Sequence, residues 1–138
     1  MNVLELPFNR FIGLCSSGKP EYIFMLDEKG EYLNHLGTVH ASALYALAEA
    51  TSGYFLLNEF SELTGIIPVV RKVETKYRKP AYGKIYSSAQ FADNSRESII
   101  EELGKRGKIL IVVRSLLYDA SGNVVMQSDF EWFLTNDR

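Results

Sequence analysis

From residue 41 to about residue 58 the chain carries no proline, and alanine recurs at positions 41, 43, 46, 48 and 50. Leu44, Leu47, Ala48, Thr51 and Phe55 fall at the three- and four-residue spacing of one helix face. The alanines leave the other sides thin and apolar as well, and a helix apolar on most faces is a buried one. A single helix cannot bury itself, so the rest of the chain has to wrap around it. No other feature of the sequence restricts the fold as strongly.

The wrapping material reads as strands. Residues 22–26, Tyr-Ile-Phe-Met-Leu, form a short apolar run between the turn signals at 16–20 and 27–30. Beyond the helix, Val69, Val73, Thr75 and Tyr77 oppose Val70, Lys72, Glu74, Lys76 and Arg78, which predicts a half-buried strand with a charged outer face. Residues 80–83 turn the chain into a second strand, 84–92. The run 109–118 is almost continuously apolar and is expected at the centre of a sheet. A hairpin turn at 119–123 leads to a last strand, with Val124, Met126, Ser128, Phe130, Trp132 and Leu134 on one face.

Two short helices complete the list. One, 7–16, opens on Pro7 and directs Phe8, Phe11, Ile12 and Cys15 inward. The other, 96–103, is capped by residues 93–95 and stopped by Gly104, with Ile99, Ile100 and Leu103 inward. The expected architecture is α+β, a single domain over 1–138. One curved antiparallel sheet, four strands after the long helix and a fifth before it, wraps around that helix.

Composition narrows the function. A net charge of -2 gives no global attraction for nucleic acid or an acidic membrane, so any phosphate binding rests on a local patch. Two such patches exist: Arg71, Lys72, Lys76, Arg78 and Lys79, and then Lys105, Arg106 and Lys108 around Gly107. The single cysteine excludes an internal disulfide and fits a reducing, cytoplasmic setting. Glu5, Pro7, Asn9 and Arg10 break up any signal peptide, and no window approaches the ~20 apolar residues of a membrane helix. Zinc-ligand spacing, phosphate-loop glycines and a G-x-S-x-G elbow are all missing, so no metal or cofactor is expected.

Glu49 is the residue that demands an explanation. A carboxylate inside a mostly apolar helix is costly to desolvate unless it is paired, used or kept protonated. At the start of the same helix, the backbone N–H groups of Ala41 and Ser42 and the positive end of the helix dipole can hold a carbonyl oxygen gaining negative charge. Eight residues at about 1.5 Å each put the two features roughly 12 Å apart, too far for one small reacting group. A composite site would therefore take the helix start from one chain and the carboxylate from another, as in a two-fold dimer with antiparallel central helices.

The polar segment 34–40 makes the reading specific. Asn34-x-x-Gly37-Thr38-Val39-His40, with Glu49 nine residues after the histidine, resembles the signature of hotdog-fold thioesterases, particularly the phenylacetate-degradation type. The resemblance extends to Tyr77-Arg78-Lys79-Pro80-Ala81-Tyr82-Gly83, to Arg106-Gly107-Lys108 and to the hairpin 119–123. Helix 96–103 is similar to an insertion in a poorly characterised hotdog branch.

This resemblance implies a hotdog fold, a homodimer or homotetramer, and hydrolysis of a small-molecule acyl thioester, coenzyme A entering only as part of the substrate. It implies that Glu49 activates water or attacks the thioester, that the Ala41 N–H holds the oxyanion, that Asn34 orients water or the carbonyl, and that His40 braces the loop. His35, Gly37, Ser42, Gly53, Arg78, Lys105, Arg106 and Lys108 would line or hold the substrate. Two positions depart from the pattern: Ala41-Ser42 replaces a Gly-Gly pair, and Gly53 stands where relatives often have Ser or Thr. Two alternatives stay open. One is a hydroxyacyl thioester dehydratase, since His35 precedes Glu49 by the fourteen residues that family resembles, without its proline-rich segment. The other is a hotdog protein that binds acyl-coenzyme A or a lipid without turning it over.

Overall fold

The computed structural model describes residues 1–136. The alanine-rich segment is one helix, α2 (Ala41–Glu59), with Leu44, Leu47, Ala48, Thr51 and Leu56 buried along it. Around it runs a six-stranded antiparallel sheet built from β1 (Cys15–Ser16), β2 (Phe24–Leu26), β3 (Ile66–Tyr77), β4 (Ile85–Phe91), β5 (Lys108–Tyr118) and β6 (Val124–Asn136). The strand order is β1-β2-β4-β5-β6-β3, which puts β5 in the interior and leaves β3 at an edge.

Helix and sheet are joined by hydrogen bonds where the side chains are small. Thr75, Ser128, Ser115 and Ala89 form one cross-strand row from β3 to β4. There Ser115 Oγ donates to the Ala48 carbonyl at 2.8 Å. Thr51 makes the second anchor, its hydroxyl 2.7 Å from the Leu47 carbonyl and 2.6 Å from Ser87 Oγ. Because Ala48 and Ala89 add almost no bulk and the buried hydroxyls are all hydrogen-bonded, the backbones can approach at no polar cost. On the outer face Arg114 forks onto Asp129 at 2.8 and 3.0 Å, beside Lys72, Glu74 and Glu131.

Four details differ from the sequence reading. The first helix, α1 (Pro7–Ile12), stops four residues early because Gly13 takes a left-handed cap at φ 87°. Cys15 consequently belongs to β1, a sixth strand, and Phe8 and Phe11 stand 59% and 85% exposed instead of facing the core. Strand β3 starts at Ile66 and its register slips between Val70 and Lys72. That bulge reverses the alternation, so Val69 faces outward while Val70, Val73 and Thr75 face inward.

The last detail is α3 (Arg96–Arg106), which runs through Gly104 and ends at Gly107, φ 71°, whose N–H bonds the Leu103 carbonyl at 2.8 Å. Only glycine adopts that conformation without a steric penalty. Gly107→Ala is therefore expected to cost about 1 kcal/mol, read as a lower urea midpoint with unchanged slope, whereas Gly104→Ala inside the helix should stabilise.

Candidate active site

Glu49 lies on a strip of α2 that the sheet covers only in part. Tyr45, Glu49, Gly53 and Leu57, spaced by four, are all half-buried, while the neighbouring strip 44, 47, 48 and 51 is fully enclosed. This half-covered strip faces β6, and its first turn faces Tyr77 of β3. Tyr45 packs on Phe130 of β6 with ring centroids 5.7 Å apart, and Gly53 lies against the Trp132 indole.

A cavity of about 620 Å³ opens along this strip, lined by Phe8, Ala41, Ser42, Tyr45, Ala46, Glu49 and Tyr77. Among the described residues the Glu49 carboxylate has neither an ion pair nor a hydrogen bond, so burial alone acts on it and pushes its pKa above the ordinary carboxylate value. Burial and the nearby Glu49 charge raise the Tyr45 phenol in turn. The group is a base made stronger by its surroundings, facing a mostly apolar cavity.

The helix start is more selective than the sequence implied. His40 occupies the N-cap, and its Nδ1 accepts the Ser42 N–H at 2.9 Å. An accepting Nδ1 puts the proton of the neutral ring on Nε2. With Ser42 taken, the Ala41 N–H is left as the first-turn donor without a protein acceptor among the described residues. Tyr77 closes over this turn, its hydroxyl donating to the Ala41 carbonyl at 3.3 Å.

Asn34 holds the preceding loop together. Its Oδ1 accepts the N–H groups of Leu36 and Thr38 at 2.9 and 3.1 Å, its Nδ2 donates to Thr38 Oγ1 at 2.8 Å, and Gly37 supplies the positive φ, 75°, that the turn requires. Most of the amide's capacity is thus engaged within the loop. The loop is tied down on both sides, Val39 N–H to Ala81 and His40 N–H to Tyr32. His35 projects from its tip, exposed, and lines neither this cavity nor the next.

A second cavity of about 550 Å³ shares Ala41 and Tyr77 with the first and adds Asn34, Arg78, Lys79 and Tyr82. The remaining cations are elsewhere. Tyr77 pairs with Met126 and Lys108 with Thr135, so roughly 30 Å of β6 separates Arg78 from Lys108 at ~3.3 Å per residue. Lys105 and Arg106 sit on the last turn of α3, paired with Glu101 and Glu102. One chain does not bring the two basic groups together.

Sequence reasoning missed Tyr45 and Phe8 as site residues. Tyr45 was detectable, four residues before Glu49 on the same strip; Phe8 was not, because α1 packs there only through tertiary structure. No cluster of three or more metal-ligating side chains exists among the described residues, and no helix there is long and apolar enough to cross a membrane.

A sheet wrapped around one helix, with the loop 34–40 leading into that helix and a carboxylate two turns along it, is the hotdog fold of the thioesterase superfamily. A Pseudomonas aeruginosa protein of unknown function described as a probable thioesterase superposes with a TM-score of 0.83 and 28% identity over 97% of this chain and 91% of its own. A Haemophilus influenzae thioesterase shares the fold at TM-score 0.71 and 15% identity, covering 97% and 86%. A hypothetical thioesterase from Streptococcus pneumoniae, solved with coenzyme A, does so at 0.64 and 16%, covering 91% and 88%. Residues 21–134 match the family described as a domain of unknown function, DUF4442, and the chain belongs to that family. No curated protein matches it.

Proposed function

We propose that this protein hydrolyses an acyl-coenzyme A thioester at an interface between two copies of the chain, in the cytoplasm. The observation that carries the reading is the unpaired, half-buried Glu49 in a mostly apolar cavity beside a helix start whose free donor is the Ala41 N–H. Neighbours described as thioesterases, one of them holding coenzyme A, support the substrate class.

In this reaction Glu49 takes a proton from water as the water oxygen attacks the thioester carbonyl carbon. The oxyanion that forms is held by the Ala41 N–H of the second copy, at the positive end of its helix. The intermediate collapses by breaking the C–S bond; the thiolate leaves and takes a proton, giving a free acid and coenzyme A. The roughly 12 Å between Ala41 and Glu49 within one helix is what favours drawing the two groups from different chains. The half-covered strip 45-49-53-57 and the inward residues Val70 and Val73 of the edge strand supply apolar area for such a partner. Arg78 and Lys79 at the second cavity, with Lys105, Arg106 and Lys108 of the second copy, are placed in this scheme on the coenzyme A phosphates.

The test is thiol release from a panel of acyl-coenzyme A thioesters; a protein that releases no thiol from any of them is not this enzyme. The dehydratase alternative needs His35 beside Glu49, yet His35 is exposed on the loop tip. His35→Ala is therefore expected to leave thiol release within about threefold of wild type, because it removes no group that changes charge in the transition state. Hydration of an enoyl thioester that disappears in His35→Ala would restore the dehydratase.

A further inference from the structure

Helix α1 is turned the opposite way from an ordinary surface helix. It buries a polar residue, Asn9, and presents two phenylalanines, Phe8 and Phe11, to the outside. Local bonding holds it in that rotation. Asn9 Nδ2 donates to the Val3 carbonyl at 2.9 Å, and the Asn9 carbonyl accepts the N–H groups of Gly13 and Leu14 at 3.0 and 3.2 Å. The Tyr32 hydroxyl donates to the Ile12 carbonyl at the end of the helix. A buried amide satisfied in this way fixes which face of α1 points inward, and with it the outward direction of Phe8.

Singly exposed apolar residues are common and need no cause, and Phe11, which lines neither cavity, is one of them. Phe8 differs in where it stands. The cavity that holds Glu49 has its floor on the first turns of α2, at Ala41, Ser42, Tyr45, Ala46 and Glu49. Tyr77 of β3 and Phe8 of α1 are the two lining residues that come from elsewhere, and they form its walls. Tyr77 is tied to the floor by its hydroxyl on the Ala41 carbonyl, and Tyr45 leans on Phe130 of the sheet. Phe8 is the one wall supplied by a separate element. Alanine and serine give much of the floor little relief, so the space left for a ligand depends on the ring at position 8.

We propose that Phe8 sets the girth of the acyl group admitted beside Glu49, closing the groove to a width that an unbranched hydrocarbon chain fills and a branched or cyclic one overfills. This rests on the coenzyme A reading above. Phe8 is then a specificity-determining residue, and the buried Asn9 is the group that holds it in place.

Octanoyl- and cyclohexylacetyl-coenzyme A carry acyl groups of equal carbon number but different girth, so the ratio of their kcat/KM values reads width with apolar area nearly constant. Phe8→Ala is expected to raise the ratio of the cyclic to the straight substrate by about tenfold or more, the scale on which overpacking an apolar site acts, and Phe8→Trp to lower it. Phe11→Ala, away from the cavity on the same helix, should leave the ratio within about twofold of wild type, as exposed positions without contacts do. Sedimentation of each variant separates a ligand from a second copy as the cover of Phe8. A Phe8→Ala protein that loses the subunit assembly of wild type makes the ring an interface residue and overturns this inference. A ratio that stays put, or moves the other way, in both Phe8 variants also overturns it. Either result leaves the coenzyme A reading standing as long as wild type releases thiol; a wild type that releases none from any thioester overturns both.

Discussion

Glu49→Gln is expected to lower kcat/KM for thioester hydrolysis by at least about 100-fold, the range in which removing a positioned general base acts. The substitution keeps the shape and polarity of the side chain but cannot accept the proton of the attacking water. In wild type the acid limb of kcat/KM should lie above the ~4.3 of an ordinary glutamate, since burial holds Glu49 protonated to higher pH. The same shift has a consequence for stability. With its folded-state pKa above the unfolded value, Glu49 takes up protons on folding. Its charged form therefore costs stability at pH above the folded pKa, and this cost vanishes below the unfolded one. Glu49→Gln should accordingly raise the thermal midpoint by roughly 1–3 °C at pH 7 and lose that advantage near pH 4. A variant that keeps its activity within threefold removes Glu49 from the mechanism. One that loses both activity and midpoint at pH 7 makes Glu49 a structural residue.

The central helix and its wrapping were legible because both follow from local periodicity. Alanines at 43, 46, 48 and 50 report a crowded surrounding whatever supplies it, Ala41 at the helix start being exposed. Period-two alternation placed Met126, Ser128, Phe130, Trp132 and Leu134 inward, as found, whereas Val124 is only half-buried and Val125 fully buried where the β5 register slips. What could not be read depends on single backbone choices. The bulge between Val70 and Lys72 leaves no mark in hydrophobicity, since Val69 and Val70 are interchangeable until the partner strand fixes which faces inward. Cys15 continues the helical spacing of Phe8, Phe11 and Ile12, and only the cap at Gly13 sends it into a strand. At the site, Glu49 could be found from the cost of its burial. The N-cap bond of His40 was hidden because histidine is not a usual capping residue, and the meeting of Gly53 with Trp132 joins positions 79 residues apart.

The wrapping of the sheet around α2 puts its greatest load on Phe130. This side chain is fully buried in the middle of β6, between Val73 of β3 and Val113 of β5, and carries the Tyr45 ring of α2 on its inner side. Truncation to alanine removes both its transfer free energy and its contacts, and the hydrogen-bonded strands on either side cannot close over the space. Phe130→Ala is therefore expected to cost about 3–5 kcal/mol in urea unfolding, and to lower the midpoint by roughly 10–15 °C in a domain of this size. Phe133, three residues on, points to the outer face of the same strand and is only half-buried. Phe133→Ala should cost no more than about 1.5 kcal/mol, less than half as much. Equal losses at the two positions would mean that β6 is covered on both faces. In that case the single helix is not the chief cover of the sheet, and the alanines of α2 need a different cause.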